Sequence, residues 1–98
     1  MPQELDFERW SRKAADWGVA YRASLRERPV RARTKPGDIA AQLAGTPPEK
    51  GEAMEAIFAD FEKIVLPGMT HWQHPRFFAY FPANAAPVSV VAEYLVTA

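Results

Sequence analysis

Residues 61–87, FEKIVLPGMTHWQHPRFFAYFPANAAP, decide how this chain of 98 residues is read. Between His71 and Pro82 they crowd two histidines and five aromatic rings. Alternation along a strand would send Phe77 and Phe81 to one face and Phe78 and Tyr80 to the other, so both faces would need apolar cover. Two readings follow. The rings form a buried core strand, because aromatic clusters commonly pack interiors, or they line a pocket. The second draws support from Pro82, Ala83, Asn84 and Ala85, a rigid loop of small residues that leaves room beside the rings for a flat ligand.

Upstream, residues 52–65 place Met54, Ile57, Phe58, Phe61, Ile64 and Val65 at helical spacing, with Glu55, Asp60, Glu62 and Lys63 elsewhere around the cylinder. Pro67 and Gly68 end that helix. From Asp6 to Glu27, Phe7, Trp10, Ala14, Trp17, Tyr21 and Leu25 recur at steps of three and four, which predicts a helix with one aromatic stripe. Acidic residues crowd its start and Arg22, Arg26 and Arg28 its end, matching the helix dipole, and Pro29 stops it. Two tryptophans and a tyrosine on one stripe demand a partner surface.

Residues 29–37, PVRARTKPG, read as an extended connector whose arginines face water. Pro36 is expected in the first turn of a short helix carrying Ile39 and Leu43, closed by Gly45 and Pro47-Pro48. Thr46 and Glu49 have capping-box spacing, which predicts a new turn there. Downstream of Pro87, VSVVAEYLVTA is apolar nearly all round, as in a helix buried on most sides. Its uncapped last turn, with Val91, Tyr94 and Leu95, predicts that further protein covers it.

Lys+Arg and Asp+Glu balance at 12 each, so no overall field draws the chain toward nucleic acid or acidic lipid. Only Arg76 is basic between His71 and Pro87, too little for stacking-based RNA binding. There is no cysteine for a disulfide or a thiolate metal site. The acidic opening MPQELDFE does not resemble a leader, and a cytoplasmic location is expected. The weakly polar run from Ala79 to Ala92 falls short of the roughly 18 residues a membrane span needs.

His71 and His74 form an H-x-x-H, which on a helix would set two imidazoles one turn apart for a metal. Pro67, Gly68 and Pro75 argue against a helix there, and no carboxylate or thiol follows within ten residues to complete the ligand set. Hydrogen-bonded structural histidines are the better reading. Ser11, Ser24 and Ser89 lie in helical segments without nucleophile-elbow glycines, and no glycine-rich phosphate loop is present.

The stretch 61–87, together with LRERPV and KPG upstream in the same order, resembles the N-terminal region of the group II pyridoxal-phosphate-dependent decarboxylases, which include aromatic-L-amino-acid, tyrosine, tryptophan and histidine decarboxylases. The likeness runs over essentially the whole chain. It implies an all-α segment of three to four helices plus an extended aromatic stretch, forming the N-terminal part of a fold type I enzyme, which is α/β and aspartate aminotransferase-like. Residues 1–66 would be a helical flap packing on the partner subunit of a homodimer. Residues 67–98 would carry the substrate-pocket segment and the start of the next buried helix, leading into a domain that binds the cofactor.

By the same resemblance, Tyr80, Phe81, Pro82 and Ala83 enclose the substrate side chain, with Trp72 close by. The pyridoxal 5'-phosphate (PLP) lysine and the other catalytic groups are expected outside these 98 residues, since none of Lys13, Lys35, Lys50 or Lys63 sits in a matching motif. The implied reaction removes the α-carboxylate of an L-amino acid, expected to be aromatic, to give the amine and carbon dioxide. Members acting on dihydroxyphenylalanine tend to carry threonine after YFP, and here Ala83 stands there. Losing that donor weakens hydroxyl-directed preference by about 0.5–1.5 kcal/mol, so tryptophan, phenylalanine and tyrosine all stay open. Two other functions are compatible with these residues: a stand-alone helical dimerisation or interaction module without activity, and a family member with aldehyde-forming chemistry.

Overall fold

The computed structural model describes residues 6–78 and 86–98. Helix α1 spans Phe7–Ala23. Asp6 caps it, its Oδ1 accepting the Arg9 backbone N–H at 3.2 Å, which satisfies one of the donors a helix start leaves unpaired. A single 3₁₀ turn, Leu25–Glu27, tightens its end before Pro29. The spacing of the apolar residues therefore marks this helix correctly, down to the turn that holds Leu25.

Helix α2 is short, Asp38–Gln42, and begins after Gly37, whose φ of 91° lies in the left-handed region that favours glycine. Pro36 thus stands before the helix rather than in its first turn, because the chain reverses at Gly37. The Asp38 carboxylate accepts the Lys35 backbone N–H at 2.8 Å and closes that reversal. No helical turn starts at Thr46 and Glu49; residues 45–53 are bends and extended chain, and the next helix starts at Met54 after Ala53, without a side-chain cap. Capping-box spacing there lacks the helix it would cap.

Helix α3 covers Met54–Asp60 and widens into a π-helical turn at Phe61–Val65, where the Leu66 N–H reaches back to the Phe61 carbonyl. A 3₁₀ turn at Leu66–Gly68 ends the run. Proline supplies the reason for the change of winding: Pro67 has no N–H, and its ring would press on the carbonyl four residues back in a regular helix. Gly68 then passes so close to α2 that a Cβ there would lie 2.8 Å from Cγ1 and 2.9 Å from Cδ1 of Ile39.

The partner surface that the α1 stripe demands comes from the same chain. Trp10 meets Phe58 at 5.6 Å between ring centroids, and Trp17 meets Phe61 edge-on at 5.0 Å. Tyr21 meets the imidazole of His71 at 5.5 Å. Spacings of this kind are those in which ring quadrupoles attract. Trp10 and Leu25 are the buried apolar residues among those described, while Phe7 and Ala14 of the stripe lie exposed. The rings of the stripe are thus covered within this chain, while Phe7 at its start stays open.

Helix α4, Pro87–Thr97, opens with its proline at the first position, where no N–H is needed. Expected to be covered by further protein, it is exposed at every residue in this chain; Val88, Val91 and Leu95 are 76%, 60% and 69% accessible. No strand occurs among the described residues, and no helix there is long and apolar enough to cross a membrane.

Candidate functional site

The two histidines build the turn that precedes the aromatic run. His71 donates its backbone N–H to the Val30 carbonyl at 2.9 Å, which ties the turn to the connector. Its own carbonyl accepts the His74 N–H at 3.0 Å, and the His74 carbonyl accepts the Phe77 N–H at 3.0 Å. The His74 ring closes the turn from inside, Nδ1 accepting the Arg76 backbone N–H at 2.9 Å. Both imidazoles are buried, at 4% and 7% accessibility. Residues 71–76 are thus a run of tight turns rather than extended chain.

His71 is also held from the side. The hydroxyl of Tyr21 lies 2.6 Å from its Nδ1. Tyr21 is fixed in turn: its ring stacks on Trp17 at 4.9 Å and 13°, and the Arg28 guanidinium lies 5.1 Å over the ring. Arg28 is anchored by donating from Nε to the Ser24 hydroxyl at 2.9 Å, and Ser24 donates to the Tyr21 carbonyl at 2.9 Å. This small network seals the end of α1 against the turn.

Burial pushes the His71 pKa below its ordinary value, and charge interactions with Arg28 and His74 act in the same direction. Burial pushes the Tyr21 phenol up, against a smaller opposing effect of Arg28. Near neutral pH the phenol therefore keeps its proton and the imidazole stays neutral, so Tyr21 donates and Nδ1 accepts. The His71 proton then sits on Nε2.

With Nδ1 of both rings engaged by protein donors, the H-x-x-H acts as a pair of structural anchors. Among the described residues no group of three or more His, Asp or Glu side chains gathers to hold a metal.

Trp72 rides on this turn. It is half exposed, at 49%, and stacks on Phe77 at 5.9 Å and 20°. Of the residues expected to wall a substrate pocket it is the one the structure describes; Tyr80, Phe81, Pro82 and Ala83 lie outside the described residues. Phe78, the last described residue before them, is 89% accessible. The sequence reading missed Tyr21 and Arg28 as neighbours of the histidine turn. Tyr21 was legible only as one member of a helical stripe, and nothing local signals a contact across 50 residues.

Lys13, Lys35, Lys50 and Lys63 are all exposed, and the Lys13 ammonium lies over the rings of Trp10 and Phe58, 5.7 Å from each. What these residues form is an aromatic ledge, Trp72 on Phe77, braced by buried histidines.

Comparison with known proteins bears on what such a ledge serves. The family described as "Pyridoxal-dependent decarboxylase conserved domain" matches residues 36–98. The chain is 41% identical over 85 residues to 4-hydroxyphenylacetaldehyde synthase of Rhodiola rosea, covering 87% of this chain and 17% of that protein. It is 40% identical over 91 residues to aromatic-L-amino-acid decarboxylase of Manduca sexta, covering 92% of this chain and 18% of that protein. Among solved structures, Oryza sativa TDC with PLP and tryptamine superposes with a TM-score of 0.86 at 30% identity, over 99% of this chain and 21% of that one. The chain thus spans about a fifth of the length of the relatives it matches.

Proposed function

Because the chain belongs to the pyridoxal-dependent decarboxylase family, we propose that it is the N-terminal segment of a PLP-dependent carboxy-lyase acting on an aromatic L-amino acid. In that reaction the bond between Cα and the carboxylate breaks, carbon dioxide leaves, and a proton takes its place at Cα. PLP, when bound, supplies the sink for the electron pair left at Cα. The lysine that holds it belongs to the remainder of the protein, in keeping with the exposed positions of all four lysines here.

This segment's part is to bind and orient. Trp72, with Tyr80, Phe81, Pro82 and Ala83, walls the substrate side chain, since a flat ring is held best by flat apolar surfaces. Holding the ring sets the carboxylate in the geometry its departure needs. Residues 1–66 act as a flap on the partner subunit of a homodimer, and 67–98 lead into the cofactor domain. The exposed Phe7 and Val19 of α1 and the apolar α4 support a covered position in such an assembly. A cytoplasmic location belongs to the same reading.

The observation that carries the proposal is the match of residues 36–98 to the family, through the whole histidine turn and aromatic run. A second reading is favoured by the likeness to an aldehyde synthase, and gives the same binding role with carbon dioxide, an aldehyde and ammonia as products, dioxygen being the oxidant and leaving as hydrogen peroxide. The test is to incubate the full-length protein and PLP with tryptophan, tyrosine and phenylalanine and quantify carbon dioxide, amine and aldehyde. Amine equal to carbon dioxide is expected. Aldehyde in place of amine would select the second reading, and no carbon dioxide from any of the three would overturn both.

A further inference from the structure

The contact between Tyr21 and His71 joins two parts of the chain that the proposed function keeps separate, the N-terminal flap and the pocket wall. Three observations make it more than one hydrogen bond. Tyr21 is immobilised before it reaches His71, by Trp17 on one side and Arg28 on the other. His71 is buried and spends its backbone N–H on Val30, so its ring can turn only by breaking the side-chain bond to Tyr21. Trp72 follows His71 directly and packs on Phe77, whose N–H is bound to the His74 carbonyl of the same turn.

We propose that Tyr21 is a positioning residue for the substrate pocket: its hydroxyl, through Nδ1 of His71, sets the orientation of the turn that presents Trp72. This rests on the reading of Trp72 as a substrate-facing wall. It assigns to α1, a helix without any expected contact to substrate, a share in selecting the substrate's ring. The effect belongs in binding rather than in the chemical step, because the chain of contacts from Tyr21 ends at Trp72, the wall read as holding the substrate's ring.

The experiment uses the full-length protein loaded with PLP. Tyr21→Phe keeps the ring between Trp17 and Arg28 and removes only the hydroxyl. A three- to tenfold rise in KM for the preferred aromatic amino acid is expected, with kcat within twofold and PLP content unchanged. Arg12→Ala, on the exposed face of α1, serves as control and leaves KM as it was. His71→Asn retains an acceptor oxygen near the Nδ1 position and is expected to stay within twofold of the wild type, whereas His71→Phe reproduces the Tyr21→Phe effect. An unchanged KM in Tyr21→Phe together with a lowered Tm would make the bond purely structural and overturn the proposal. If Tyr21→Phe does not fold, the His71→Asn and His71→Phe pair decides alone, and failure of all three to fold assigns the contact to stability and likewise overturns it. A wild-type protein that releases no carbon dioxide sinks the functional reading instead, a result visible before any variant is made.

Discussion

Tyr21 and His71, 50 positions apart, meet at 2.6 Å between hydroxyl and Nδ1 in a partly buried niche under Arg28. The niche holds the imidazole neutral, and this gives the fold a pH dependence of definite sign. The unfolded chain protonates His71 at its ordinary value of 6.5, while the folded chain resists until lower pH. Below about 6.5 the unfolded state therefore binds more protons, and stability falls as the pH drops through the lowered folded value. Above 6.5 this group contributes no slope.

At the alkaline end the sign reverses for Tyr21. Its folded pKa is raised above 10.0, so its contribution is fully present below that value and lost as the pH rises through the raised one. Urea midpoints measured from pH 5 to 8 on the full-length protein and on His71→Asn should diverge only on the acid side. Parallel curves would mean that His71 titrates normally.

The approach of Gly68 to Ile39 yields a second expectation. Gly68→Ala puts a methyl group against Cγ1 and Cδ1 at distances no real contact tolerates, so α2 or the Ile39 side chain must move. The expected cost is about 1–3 kcal/mol, seen as a lower denaturation midpoint. Ile39→Ala removes both clashing atoms, so the double variant should lose less than the two single losses added together. Strict additivity would show that Gly68 and Ile39 do not share this space.

Trp10 is the best-buried ring of α1, set on Phe58 and flanked by Arg9 at 5.1 Å and Lys13 at 5.7 Å from its centroid. Trp10→Ala should cost about 3–5 kcal/mol. By contrast, Arg9→Ala, which removes an exposed 3.9 Å pair with Glu55, should cost under about 1 kcal/mol. A double-mutant cycle of Trp10→Leu with Phe58→Leu should return a coupling of about 0.5–1.5 kcal/mol. A coupling near zero would assign the pair to simple burial.

For the proposed pocket, Phe81→Ala and Trp72→Ala in the full-length protein should each raise KM for the larger aromatic substrates while PLP stays bound. Absorbance of the bound cofactor and steady-state kinetics on tryptophan and tyrosine check this. Unchanged kinetics on both substrates would remove the altered residue from the wall.

Helix α1 was legible because its signal is local: apolar residues at steps of three and four, acidic residues at its start, and Pro29 after the end. Helix α3 was legible for the same reason, although its final turn was not. Pro67 forbids a regular continuation, but whether the turn before it tightens or widens is not written in its neighbours, and here the widened turn brings Gly68 against Ile39. Thr46 and Glu49 misled because capping-box spacing is a two-residue pattern that stabilises a helix only if one follows. Of the expected pocket wall, Trp72 is described, braced by residues that single out no function in the sequence.

From the order of its residues alone, this chain has its helices, its breaks and the aromatic run that marks its family, since each depends on neighbours within a few positions. Tertiary structure decided the rest: that the α1 rings are covered by Phe58, Phe61 and His71 of the same chain, that both histidines are buried anchors, and that Tyr21 holds the turn beneath Trp72. Those outcomes depend on which apolar and polar groups meet once water is excluded between segments far apart in sequence, and no local pattern encodes that meeting.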